Sequence, residues 1–147
     1  MKVSEIMTQD VKVITPDQPI QEAARIMMQE DTGVLPVQDG ERLIGMVTDR
    51  DITVRAIAEG HGPETPVSAV MSGKPLFCWD DQEVEEVALT MADAQIRRVP
   101  VLSREGERLV GIVSLGDLTR SEQDDAAEVA LDGISDPGGE HNQSMEG

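Results

Sequence analysis

The chain writes nearly the same phrase twice, and that repetition limits its possible folds more than any other feature. Residues 40–51 read GERLIGMVTDRD and residues 106–117 read GERLVGIVSLGD, 66 positions later. Both carry Gly-Glu-Arg-Leu, then a glycine, then a valine, then a Thr or Ser followed three places on by Asp. The match continues upstream at an offset of 64, where VSEIM (3–7) corresponds to VSAVM (67–71) and DQPIQEAARIM (17–27) to DQEVEEVALTM (81–91). LPV (35–37) corresponds to VPV (99–101), and two extra residues near Leu102 to Arg104 then shift the register of the second copy. Order and spacing hold over about fifty residues per copy, which predicts two structurally similar halves, neither suited to burying its apolar face alone.

Each copy reads as strand, helix, strand, strand, helix, which makes the chain a mixed α+β protein of two tandem β-α-β-β-α repeats. Val11 to Ile14 and Leu76 to Trp79 are expected to be short strands. Asp17 and Asp81 stand where N-caps of the following helices belong. Ile20, Ala23, Ala24 and Met27 fall at i, i+3, i+4 and i+7, and Val84, Val87, Ala88 and Met91 repeat the stripe; it marks a buried helix face rather than a ligand site. Val34–Val37 and Leu43–Val47 predict a hairpin, with Asp39-Gly40 tolerating positive φ at its turn and Glu105-Gly106 doing so in a longer second loop. After Val47 the pattern TDRDITVRAIAEG turns helical and stops at Gly60. The predicted organisation is repeat 1 over 1–60, a turn-rich linker HGPETP over 61–66, repeat 2 over 67–120 and an acidic tail over 121–147. Within the tail AAEVALDGI has a helical pattern, whereas DPGGEHNQSMEG has little to bury and is expected to be flexible.

Composition removes several function classes. Eight of the 29 acidic residues and none of the twelve Lys and Arg lie beyond Arg120, and the net charge is −17. A field of that sign repels nucleic-acid phosphates, and the only aromatics are Phe77 and Trp79, so stacking on bases has little to work with. No apolar run approaches the roughly 18 residues of a spanning helix, and MKVSEIMTQD lacks a secretory apolar stretch, so no membrane association and a cytoplasmic location are expected. The single Cys78 sits in the apolar stretch LFCW and reads as an inert buried thiol. His61 and His141 have no second His or Cys at ligand spacing, which argues against a zinc site.

Chemistry concentrates where a strand gives way to a helix. Thr48-Asp-Arg-Asp51 and Ser114-Leu-Gly-Asp117 each place a hydroxyl three residues before a carboxylate. That spacing is a capping box, worth about 1 kcal/mol to the helix, and structure alone is reason enough to keep it. The same place suits a nucleotide. Free N–H groups and the helix dipole favour an anion, and a carboxylate one turn in can accept both ribose hydroxyls.

The repeated β-α-β-β-α pattern, with (L/V)PV, Gly-h-h-(T/S)-x-x-Asp and VSxxM in register in both copies, resembles a pair of cystathionine-β-synthase (CBS) domains over about residues 3–120. The resemblance implies two sheets meeting across a pseudo-twofold axis. It also implies clefts between the repeats that take AMP, ADP, ATP or S-adenosylmethionine as ligands rather than cofactors, and association as a flat homodimer. In the second copy Ser114 and Asp117 match the family's hydroxyl and ribose-binding carboxylate, and Arg97 and Arg98 stand where phosphate-binding members carry a basic pair. The resemblance places the base of that ligand near Ile14, Thr15, Ile20 and Val34. In the first copy Thr48 and Asp51 match, but the counterparts of the arginines are Gly33 and Val34, and Arg50 is the one residue offering the missing charge. The Asp117 site is therefore expected to favour phosphorylated ligands, and the Asp51 site to be weaker, empty or selective for something less anionic. The arginine pair also has a structural reading, as a solvated edge that discourages strand pairing or as partners for carboxylates.

These readings predict a non-enzymatic regulatory module that senses an adenine nucleotide and signals to a separate effector protein. The alternative is a ligand-free structural dimer or adaptor in which Thr48, Asp51, Ser114 and Asp117 are caps only. Catalysis finds no nucleophile–base pair, metal cluster or Gly-rich phosphate loop in the sequence.

Overall fold

Residues 1–119 are described by a computed structural model of the chain, in which the two copies of the repeat build two sheets of three strands each. The elements in chain order are α1 (Ile20–Glu30), β1 (Val34–Asp39), β2 (Arg42–Thr48), α2 (Asp49–Asp51, continued by a π-wound stretch Ile52–Ile57), β3 (Ser72–Gly73), β4 (Cys78–Trp79), α3 (Val84–Ala94), β5 (Arg98–Leu102), β6 (Leu109–Ser114) and α4 (Leu115–Thr119). The mixed α+β class and the repeated strand–helix–strand–strand–helix order are those expected. The proposed helical and flexible parts of the acidic tail lie outside the described residues.

The described chain divides into two compact units: a continuous one, Lys12–Pro75, and a split one made of Met1–Val11 and the described residues from Leu76 onward. In the continuous unit β1 and β2 pair antiparallel, with Val34 opposite Thr48 and a bulge between Val37 and Gln38. Ile14 adds a parallel bridge to Val37 on one side, and β3 pairs antiparallel with β2 on the other. The split unit repeats the arrangement. β4 runs parallel to β5 with Cys78 opposite Val101, β5 and β6 are antiparallel, and Thr8 bridges Ile112. The partner beside β2 (β3) and the partner beside β6 (Thr8) thus come from residues just after the VSxxM phrase of the other copy, so the packing units cut across the sequence repeats.

Glycine explains why that phrase and the GER phrase occur together. Gly45 lies under Met71 and Ser72; a Cβ there would stand 2.6 Å from the Ser72 carbonyl oxygen and 3.0 Å from the Met71 sulfur. Gly111 lies under Met7 and Thr8, where a Cβ would stand 2.5 Å from the Met7 sulfur and 2.9 Å from the Thr8 carbonyl oxygen. Only a residue without a side chain lets the third chain come this close.

Several local expectations change in the structure. Asp17 and Asp81 do not cap the helices: the N-cap residues are Pro19 and Glu83, without a side-chain cap bond. Asp17 instead accepts the Thr15 hydroxyl at 2.7 Å, and Asp81 pairs with Arg104 Nε at 2.7 Å. The open helix N–H groups go to main chain, because the incoming segment is already in place to accept them. Ile20 N donates to Thr65 O at 2.8 Å and Gln21 N to Pro63 O at 3.2 Å, while Val84 N donates to Met1 O at 2.9 Å. The linker 61–66 therefore closes the start of α1.

The expected strands at 11–14 and 76–79 shrink to the bridge at Ile14 and the two residues of β4. Positive φ falls on Gly40 but not Asp39, and on Gly106 and Glu107 rather than Glu105, because the two extra residues move the second turn along. Ala24 is exposed; on α1 the partly buried Ile26 joins Ile20, Ala23 and Met27 against the sheet.

Each unit has its own aliphatic core. Ile14, Ile20, Leu35, Val37, Val47 and Val67 lie at the centre of the continuous unit. Val3, Val87, Met91, Val99, Val101 and Val113 lie at the centre of the split one. Cys78 belongs to the second core at 2 % exposure, and burial, with Asp80 adding to it, pushes its thiol from 9.0 up to about 12. Among the described residues no helix is long and apolar enough to cross a membrane.

Two outcomes follow from this packing. Gly45→Ala and Gly111→Ala each destabilise the fold by about 1–3 kcal/mol in urea unfolding, as overpacking does. Shortening Met7 in the same chain recovers part of the Gly111→Ala loss, but shortening Met71 does little for Gly45→Ala, whose clash is with main chain. Cys78 resists iodoacetamide at pH 8 in the folded protein and reacts only as urea unfolds it, because the thiolate is the reacting form.

Candidate functional site

β2 and β6 each end on a hydroxyl residue, and the helix begins at the next position. In the continuous unit Asp51 N donates to Thr48 Oγ1 at 3.0 Å while Thr48 N donates to Asp51 Oδ2 at 2.9 Å. In the split unit Asp117 N donates to Ser114 Oγ at 3.2 Å and Ser114 N to Asp117 Oδ2 at 2.8 Å. Both are reciprocal boxes, so four otherwise open N–H groups are satisfied by four residues. Each carboxylate keeps a second oxygen, Oδ1, outside the box bonds.

The carboxylates differ in setting. Asp117 is buried, at 4 % exposure, in a split unit whose core is otherwise apolar. Asp51 keeps 13 % of its side chain exposed, and its Oδ1 lies 3.8 Å from Arg55 Nε. Arg55 Nη1 also donates to Val70 O at 3.3 Å, tying the helix of the box to the VSAVM phrase. The repeat offset puts Ser121, outside the described residues, at the matching place in the second copy.

Sheet pairing carries the neighbouring chain to each box. Arg98 stands opposite Ser114 on β5, and Leu115 N donates to Arg97 O at 3.1 Å. Arg97 is exposed and Arg98 half-buried. The first copy has the same backbone: Val34 stands opposite Thr48, and Asp49 N donates to Gly33 O at 2.9 Å. The side chains differ: two are cationic in one copy and neither is charged in the other. Gly33 offers none, and a Cβ on it would come within 2.9 Å of Asp49 Oδ2, so the Asp49 carboxylate lies where the Arg97 side chain begins in the other copy. Arg50 is exposed and lines a shallow depression of about 330 Å³ with Asp49, Thr53 and Val54.

The structure thus brings together Ser114, Asp117, Arg97 and Arg98 in the split unit. In the continuous unit Thr48, Asp51 and Val34 stand together, with Arg50 on the same helix. Ile14, Thr15 and Ile20 belong to the continuous unit, where Ile14 and Ile20 are core residues and Thr15 is exposed. Asp49 and Arg55 were missed in the sequence. Asp49 is legible as the counterpart of Leu115, and Arg55 as the i+4 partner of Asp51. Among the described residues no group of three or more His, Cys, Asp and Glu is placed to hold a metal.

Comparison with known proteins gives this arrangement a family. The sequence profile described as the CBS domain matches residues 3–56 and 67–124. The CBS domain-containing protein YhcV of Bacillus subtilis is 42% identical over 134 residues, covering 90% of this chain and 94% of that one. Hypoxic response protein 1 of Mycobacterium tuberculosis is 36% identical over 118 residues, 79% of this chain and 81% of that one. A solved structure of Hypoxic Response Protein I, with two coordinated zinc ions, superposes with a TM-score of 0.74 at 34% identity over 82% of this chain and 98% of its own. CBSX2 in complex with AMP gives 0.71 at 26% identity, over 81% and 93% of the two chains. The CBS domain pair of protein MJ0100, in complex with 5′-methylthioadenosine and S-adenosyl-L-methionine, gives 0.72 at 28% identity, over 82% and 98%. With both copies of its repeat matched, the chain belongs to the CBS domain family as a tandem pair.

Proposed function

We propose that the chain is a regulatory module that binds an adenosine ligand at the Asp117 box and passes occupancy to a separate effector protein. The observation that carries this reading is the buried Asp117 carboxylate, held by Ser114 N–H at 2.8 Å, with the Arg97–Arg98 strand end paired beside it. Asp117 Oδ1 accepts ribose hydroxyls, Ser114 and the helix start add polar contacts, and the two guanidinium groups meet phosphate. Arg suits that role because its planar fork can bond two phosphate oxygens at once. AMP in one structural relative and S-adenosylmethionine in another support the ligand class. The functional form is a homodimer in the cytoplasm. Occupancy becomes a signal only if the ligand binds two arrangements of that dimer unequally. No catalytic step is assigned to any residue.

A second reading has a specific observation behind it. Both boxes are closed by reciprocal hydrogen bonds without any ligand, so capping alone accounts for Thr48, Asp51, Ser114 and Asp117. In that case the chain is a scaffold or adaptor dimer.

Thermal melting separates the two. AMP at a hundredfold excess over its Kd stabilises the wild type by about 2.7 kcal/mol. Asp117→Asn keeps an acceptor for the Ser114 N–H but loses the charge, so it retains the cap and loses the AMP shift. A wild type that no adenosine compound stabilises makes the scaffold reading the right one. Ser114→Ala and Thr48→Ala each remove a cap and cost about 1 kcal/mol in either case. Arg98→Lys weakens AMP binding, because Lys retains the charge but not the fork.

A further inference from the structure

We infer that Met7 is an oxidation-sensitive latch: one oxygen transferred from hydrogen peroxide to its sulfur loosens the stretch around Thr8 from β6. Access and contact together single it out. Among the described residues Met27, Met46 and Met91 are buried, and Met28 is 75 % exposed on α1. Met1, Met7 and Met71 are half-buried. Met7 and Met71 combine that partial exposure with a tight contact, since each sulfur presses onto a glycine of the neighbouring strand.

The space over Gly111 has no room for a further oxygen. The Met7 sulfur and the Thr8 carbonyl oxygen share it, lying 2.5 Å and 2.9 Å from where a Cβ would stand. A sulfoxide oxygen is bulkier than a lone pair and only accepts hydrogen bonds, so beside that carbonyl it is crowded and unpartnered. Two main-chain bonds oppose its release: Thr8 N donates to Ile112 O at 2.9 Å, and Ile112 N to Thr8 O at 3.0 Å. They form an isolated bridge at a sheet edge, the kind of pairing that opens locally and admits peroxide. The chain ahead is tied separately, by Val3 N on Gln82 O and Ser4 N on Asp80 O, so the release is local. Met71 is the better braced of the pair. Its sulfur lies farther from the Gly45 position, at 3.0 Å, and Arg55 Nη1 holds the Val70 and Met71 carbonyls at 3.3 and 3.4 Å.

In the oxidation a sulfur lone pair attacks one peroxide oxygen, the O–O bond breaks and an S–O bond forms. The transferred oxygen gives its proton to the departing hydroxide, which leaves as water; sulfur loses two electrons and peroxide gains them. A methionine sulfoxide reductase reverses the change, releasing the oxygen as water while two thiols become a disulfide.

Peptide mass mapping and amide hydrogen exchange on the folded full chain, before and after hydrogen peroxide, test the inference. Met28 and Met7 gain oxygen while Met46 and Met91 do not. Exchange at Thr8 and Ile112 speeds up by about tenfold or more, the scale of one polar group left without a partner. Amides of the β2–β3 pairing change less, and treatment with the reductases slows Thr8 and Ile112 again. Met7→Leu, close in volume and without a sulfur to oxidise, loses the response, whereas Met28→Leu keeps it. If Met7→Leu does not fold, the wild type decides: fast exchange at Thr8 grows in step with oxygen on Met7. A Met7 that stays a thioether in the folded chain overturns the inference. So does oxidation of Met7 without change at Thr8 and Ile112, or a folded Met7→Leu chain that still responds to peroxide there.

Discussion

The close approach of a methionine to a glycine holds the duplicated design together. Met71 over Gly45 and Met7 over Gly111 let the VSxxM phrase of one copy lie against the middle of the hairpin strand of the other. Everything at the boxes is built on that strand. β2 and β6 run from the glycine to the hydroxyl residue in three further positions, so strand placement and box placement are one event. A flexible thioether suits such a contact, since it fills an irregular gap without demanding a single shape.

Backbone bonds, not side-chain caps, then fix the rest of each unit. The helix starts are met by Thr65, Pro63 and Met1 carbonyls, which belong to the segments just ahead of the VSxxM phrases. Each exchanged segment therefore contributes twice: main-chain acceptors for a helix and an edge partner for a sheet. This frees the acidic residues near those helices for other contacts. Asp81 joins Arg104, whose guanidinium also lies 4.9 Å from the Trp79 ring, with Phe77 edge-on at 5.0 Å. The only two aromatics are thus spent on one partly exposed patch rather than on the cores, which the aliphatic residues fill.

Duplication usually invites two equal sites, but charge separates these two. The hydroxyl–carboxylate box is kept in both copies because it closes a helix start in both. The residues facing it diverge: two arginines in one copy, a glycine with an overlying carboxylate in the other. A scaffold that needs its box for folding can retain the geometry while the surroundings take on different ligand preferences.

The sequence by itself determined the repeat, the element order, the hairpins, the hydrophobic face of α3 and the identity of both boxes. These rest on local pattern: spacing of apolar residues, glycine at turns, a hydroxyl three places before an acid. It also sufficed to align Arg97 and Arg98 with Gly33 and Val34, because the offset of 64 is unbroken there. Only the tertiary structure decided that Lys12–Pro75 packs as one unit and that Met1–Val11 joins the other. Partners distant in sequence leave no local periodicity, so the exchange is invisible in either repeat alone. The same reason hid the true helix caps. Asp17 and Asp81 have the right chemistry but stand two residues ahead of the N-cap positions, and a carbonyl delivered by a distant segment reaches the N–H groups instead. Asp49 was overlooked for a third reason: its meaning depends on an absent side chain at Gly33, and only packed coordinates show what occupies the space a glycine leaves.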